Sequence, residues 1–142
     1  MTIVNTELAM PLLAMLLLTM LVWIYLFIQR VGYSRAHNID IEKFKTPGDT
    51  TTLIPGPHSS ASNNFQNLLE MPLVFYTICL YLTCFGLVDD LHVICAWVFV
   101  TFRVLHSLIH CTFNRVLLRF LAYVVSSIAV WVMVVRAFIS AL

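Results

Sequence analysis

Asn63, Asn67 and Glu70 recur at i, i+4 and i+7 in the stretch 63-NNFQNLLEMPLVFYTICLYL-82, whose second half is plain hydrocarbon. Spaced this way they share one face of a helix. Downstream, Arg103, His106 and His110 stand at i, i+3 and i+7, and Arg115, Arg119 and Tyr123 at i, i+4 and i+8. These are residues that hold anions or metals. Arginine meets carboxylates with a planar fork of donors. His106 and His110 at i, i+4 suit two metal ligands, with Glu70 as a third, but the neighbouring Arg103 would repel a cation. The reading is therefore no metal site. Ser107 beside His106 and Cys111 beside His110 point elsewhere on a helix, so neither pair makes an activated nucleophile.

The elements that must carry these residues follow from composition. The chain has 142 residues, 61% apolar and 11% charged, with mean hydropathy +0.91. Soluble domains are roughly half apolar and a quarter charged. This chain is expected to be an all-α integral membrane protein, read as one domain over residues 1–142. Four segments approach the ~20 apolar residues of a span: about 8–28, 65–88, 91–109 and 116–139. In lipid only a helix satisfies its own backbone within one segment, which predicts a four-transmembrane-helix bundle. The first run has no basic flank before it and no cleavage site after it, so it is read as a retained span. A net charge of +1 and the lack of a basic stripe argue against a nucleic-acid partner. The four cysteines have no CxxC spacing and are read as small core residues.

The connections are unequal. Residues 30–62 form one long loop containing TPGDTTTLIPGPHSSASNN, read as irregular chain. GLVDDL at 86–91 and HCTFNR at 110–115 are short joints, which make the last three helices antiparallel neighbours. Arg30, Arg35, Lys43 and Lys45 lie in the long loop and Arg115 in the last joint, against Glu7, Asp89, Asp90 and Arg136 on the other side. The positive-inside rule places the long loop in the cytoplasm and both termini opposite. His92 and Arg136 then mark the far interface.

This topology puts all three polar stripes in one leaflet. Glu70 and Arg103 both lie ~10 Å inside the cytoplasmic edge. Ionisable groups at that depth are costly unless paired or wetted, which predicts a Glu70–Arg103 ion pair. Two readings stay open: a structural clasp that fixes helix order, or a hydrated pocket for a charged small molecule. Arg103, Arg115 and Arg119 with two histidines outnumber the one carboxylate, and that excess favours an anionic ligand. A transporter fits less well, because no polar path crosses the other leaflet.

The motifs 67-NLLE-70 with Pro72 and 103-RVLHSLIHCTFNRVLLRFLAY-123 resemble those of the MAPEG superfamily, the membrane-associated proteins of eicosanoid and glutathione metabolism. The closest likeness is to bacterial members, which places the chain in a bacterial inner membrane. The resemblance implies a homotrimer of four-helix subunits, with glutathione as co-substrate in the cytoplasmic leaflet between subunits. It implies conjugation, peroxide reduction or isomerisation of lipophilic substrates. Asn67, Glu70, His106, Arg119 and Tyr123 match family positions around glutathione, and the stripes add His110 and Arg115. Arg119 matches the arginine credited with stabilising the thiolate; a nearby cation lowers a thiol pKa and supplies a nucleophile at neutral pH. The chain departs from the family's eicosanoid enzymes at Asn63 and Gln66, where arginine is more usual, at His110, where tyrosine is expected, and at Phe120, where prostaglandin E synthase has serine. Two function classes are carried forward: a glutathione-dependent transferase or peroxidase acting on lipophilic electrophiles, and a non-catalytic binding or scaffold protein whose polar cluster locks the trimer.

Overall fold

Long apolar runs fold here as helices, with polar punctuation between them. The computed structural model describes residues 6–141. In chain order it contains α1 (Ala9–Ala36), α2 (Pro47–Leu53), α3 (Ser60–Phe85), α4 (Asp90–Cys111) and α5 (Val116–Ser140), with single 3-10 turns at Ile41–Lys43 and Gly56–His58. α1, α3, α4 and α5 are each long and apolar enough to cross a membrane. α4 and α5 pack most extensively, α1 lies against α3 and α4, and α3 also touches α5.

Helix ends sit where backbone chemistry, not hydropathy, puts them. Hydropathy ends the first span near Ile28, but α1 continues through Gln29 and Arg30 to Ala36. Polar residues do not stop a helix. The stop comes at Asn38, whose φ of 51° is one that asparagine tolerates. The Ile39 amide then bonds back to the Ser34 carbonyl at 2.9 Å. α3 starts at Ser60, before the Phe65 expected from hydropathy, because its first turn is helical without being apolar. The loop 30–62 is not wholly irregular either. In α2 the Thr46 hydroxyl accepts the Asp49 amide at 3.2 Å, and the Asp49 carboxylate accepts the Thr46 amide at 2.9 Å. With Pro47 at the first helical position this is a capping box, legible as TPGD. α3 ends on Gly86, at φ 67°, with the Leu87 amide on the Leu82 carbonyl at 2.9 Å.

The core forms where inward stripes meet. On α3 the buried positions Ala61, Asn64, Leu68, Pro72, Phe75, Cys79 and Leu82 recur every three or four residues. Phe75 stacks on Phe99 of α4, with centroids 4.3 Å apart, a contact worth ~1 kcal/mol beyond burial. Cys79 and Cys95 are buried core residues as expected, whereas Cys84 is exposed and Cys111 half-buried.

At the end of the bundle away from the long connection, Arg136 of α5 donates through Nε to Asp89 at 2.6 Å. Asp89 also caps α4 by accepting the His92 amide at 2.9 Å. His92, expected to mark the far interface, lies at that end of the bundle and is 2% exposed. Slight burial pushes the Asp89 carboxyl up, but the His92 amide and the Arg136 guanidinium outweigh it and hold it below the usual carboxylate range. A carboxyl more acidic when folded stabilises the fold above its unfolded pKa of ~3.9, and the gain is lost as pH falls through the folded value. Melting temperature is thus expected to drop on acidification below about pH 4, with a smaller drop in Asp89→Asn. The pair is solvent-exposed, so the effect is at most ~1 kcal/mol. Thermal scans across pH 3–6 check this.

Candidate functional site

The site is built on the joint between α4 and α5. Asn114 takes φ 46°, and its amide closes α4 on the Ile109 carbonyl at 2.8 Å. That turn brings the Asn114 side chain back over the first turn of α5. There Arg119 donates from one Nη to Asn114 Oδ1 at 2.8 Å and to His110 Nε2 at 3.0 Å. Because the guanidinium can only donate, His110 Nε2 accepts, and its proton sits on Nδ1 when the ring is neutral. One turn down α4, His106 Nδ1 donates to the Arg119 carbonyl at 2.8 Å. A carbonyl can only accept, so neutral His106 keeps its lone pair on Nε2. Neither His110 Nδ1 nor His106 Nε2, both buried, has a hydrogen-bond partner.

Arg103 lies deeper. It is 0% exposed, and its guanidinium carbon sits 4.7 Å from the Tyr123 ring centre and 5.3 Å from that of Phe99. The aromatic faces partly offset its charge. None of its three side-chain nitrogens has a hydrogen-bond partner. A buried cation with no carboxylate in direct contact costs several kcal/mol. The structure thus gathers Arg103, His106, His110, Arg119 and Tyr123 into one cluster between α4 and α5, with ring centroids 5.7 Å apart for His106–His110 and 6.1 Å for His106–Tyr123.

The α3 residues stand apart from it within the chain. The expected Glu70–Arg103 ion pair is not formed: among the described residues the arginine–carboxylate contact is that of Arg136 with Asp89, and Glu70 acts on Arg103 only through space. Helix phase is the reason. Leu68, Pro72 and Phe75 face inward, and Glu70 follows Leu68 by two residues, ~200° around the helix. Glu70 is exposed. Asn67 is half-buried and donates to the Asn63 carbonyl of its own helix at 3.1 Å. Arg115 is exposed at the N-cap of α5, and its carbonyl accepts the Arg119 amide.

Three polar residues outside the expected stripes complete the picture: Asn114, Ser107 and Asn64. Asn64 is 0% exposed; its Oδ1 accepts the Ser107 hydroxyl at 3.3 Å, and its Nδ2 donates to Cys111 Sγ at 3.5 Å. It ties α3 to α4 directly beneath the cluster's end of the bundle. Asn64→Leu is expected to cost about 1–3 kcal/mol, because it leaves the buried Ser107 hydroxyl without its partner. Thermal unfolding of Asn64→Leu, Ser107→Ala and the double variant checks this, the double variant recovering part of the loss.

A bundle of four membrane-crossing helices with a buried basic cluster at one end defines the class of protein. The MAPEG family model matches residues 8–139, and the chain belongs to that family. No curated protein and no solved structure matches the chain.

Proposed function

We propose that this protein is a glutathione-dependent transferase or peroxidase acting on lipophilic electrophiles, working as a homotrimer in a bacterial inner membrane with the long connection in the cytoplasm. One observation carries the reading: Arg103 and Arg119 are gathered at one end of the bundle with no carboxylate in contact with either among the described residues. The donor set suits an anion. Arg119 is held by two uncharged groups, so its positive charge is free to act on a bound thiol. A cation so placed lowers the thiol pKa and supplies the nucleophile at neutral pH. Arg103 and His110 Nδ1–H offer further donors, and His106 Nε2 an acceptor.

The outward face of α3 supports the trimer. Asn63, Gln66 and Glu70 are exposed on a helix long enough to span the membrane. Hydrocarbon penalises such a face, and a neighbouring copy would cover it. Asn67 and Glu70 would then meet the next subunit's α4–α5 edge, where Arg115 and Arg119 stand, with glutathione between them. Asn63 and Gln66 lack the charge of the arginines usual there, so carboxylate binding should be weaker than in the family's eicosanoid enzymes.

A second reading is a non-catalytic binding or scaffold protein. It draws on the complete burial of Arg103 between Phe99 and Tyr123, a placement that a structural stack would also produce. Thermal unfolding in detergent with and without glutathione separates the two. Binding to the native state must raise stability by mass action. A concentration-dependent rise supports the enzyme; no rise, together with a lowered melting temperature in Glu70→Gln, supports the scaffold.

A further inference from the structure

On the face of α4 next to the one that carries the basic cluster, α1 and α4 leave a groove of about 450 Å³. Its walls run from Ala14 to Tyr25 on α1 and from Val100 to Cys111 on α4. Eleven helical steps make it ~16 Å long, about the depth of one leaflet's hydrocarbon. Directly beyond its upper end lies a second cavity of about 310 Å³, rimmed by Gln29, Ser60, Thr112 and Asn114. Cys111 lines both. The two also adjoin along α1, since Gln29 follows Tyr25 by one turn and donates through Nε2 to its hydroxyl at 2.8 Å.

The upper cavity is polar without being charged. Gln29 Oε1 is buried and has no hydrogen-bond partner. Asn114 Oδ1 is occupied by Arg119, which leaves its Nδ2 free to donate. Thr112 Oγ1 donates to the Leu108 carbonyl at 2.6 Å, which leaves it free to accept. Among the described residues, no Asp, Glu, Lys or Arg lines this cavity. A ligand head there must both donate and accept, as a hydroxyl does, whichever way round the Gln29 amide lies. We infer that the groove and cavity together bind a single-chain lipid with an uncharged, hydroxyl-bearing head, the chain between α1 and α4 and the head among Gln29, Thr112 and Asn114. This site stands independently of any thiol chemistry, and it shares Asn114 with the tether that holds Arg119.

The test is photolabelling of the full-length protein in phosphatidylcholine nanodiscs, with a long-chain monoacylglycerol carrying a diazirine in its chain. Saturable labelling of residues 14–25 and 100–111, competed by unlabelled monoacylglycerol, is the expected result. Leu18→Trp and Leu108→Trp, which fill the groove from its two walls, should each reduce it at least fivefold while labelling at Trp131, an exposed α5 residue outside the groove, is unchanged. A competitor with O-methylated head should be about fivefold weaker on the wild type, one hydrogen bond's worth, and equal to the parent on Gln29→Leu. Labelling that does not saturate would make the groove ordinary lipid-facing surface and overturn the site, and this wild-type result decides even if the tryptophan variants fold poorly. A long-chain carboxylate that competes as well as the glyceride would overturn the uncharged-head assignment.

Discussion

Arg119→Ala is expected to lower kcat/KM for thiol conjugation by about 10²–10³, the usual effect of removing one preorganised donor from a developing or stabilised anion. Stability should suffer far less. Arg119 is half-buried, and its side chain makes two hydrogen bonds, to His110 and Asn114. Losing them costs ~1 kcal/mol each, and water can replace part of that at the helix end. Catalysis and folding therefore separate in this variant. Arg119→Lys sharpens the comparison. It keeps a positive charge but on a shorter side chain whose ammonium does not reach the position of the one Nη that meets both His110 and Asn114, so it should retain thiolate stabilisation in part while losing the tether. Conjugation of a chlorodinitrobenzene-type electrophile by protein in detergent measures both. A rate indistinguishable from background in the wild type would remove the enzyme reading.

Arg103→Met is expected to act in the opposite sense on stability. The native residue is a fully buried cation with no carboxylate and no hydrogen-bond partner on its side-chain nitrogens. Replacing a buried charge by an apolar side chain of similar volume is often neutral or stabilising by about 1–4 kcal/mol. The aromatic contacts to Phe99 and Tyr123, each worth ~2 kcal/mol when desolvated, offset only part of the cost of burying the charge. The melting temperature of Arg103→Met should therefore match or exceed that of the wild type, while the rise caused by glutathione disappears. That pairing, more stable but unable to respond to the anion, is what a group kept for binding should show. A fall in melting temperature with the glutathione response intact would make Arg103 a stacking element.

The spans and the end of the bundle at which polar residues collect follow from hydropathy and connection length alone, since depth is set by counting residues from a helix end. Direction is harder. Glu70 and Arg103 match in depth, but Glu70 lies off the inward stripe of α3, and that stripe could have been counted from Leu68, Phe75 and Leu82. The same count puts Asn64 on the buried face, where an asparagine among apolar residues signals a polar contact across helices. The grouping of His106, His110, Arg119 and Tyr123 follows from a short joint that forces α4 and α5 side by side. Asn114's part in it depends on a left-handed backbone residue, which the lone asparagine of HCTFNR suits, but nothing in the spacing specifies that its side chain then turns back to Arg119. α2 was legible in TPGD, although the surrounding Pro, Gly, Ser and Thr mask it.

The ultraviolet difference spectrum of glutathione bound to the purified protein, wild type against Arg119→Ala, tests the central claim most directly. If Arg119 acts on a bound thiol, the wild type should show thiolate absorbance at neutral pH, lost on acidification, and Arg119→Ala should show none. Glutathione bound to the wild type with no thiolate signal, or a signal unchanged in Arg119→Ala, would contradict that role.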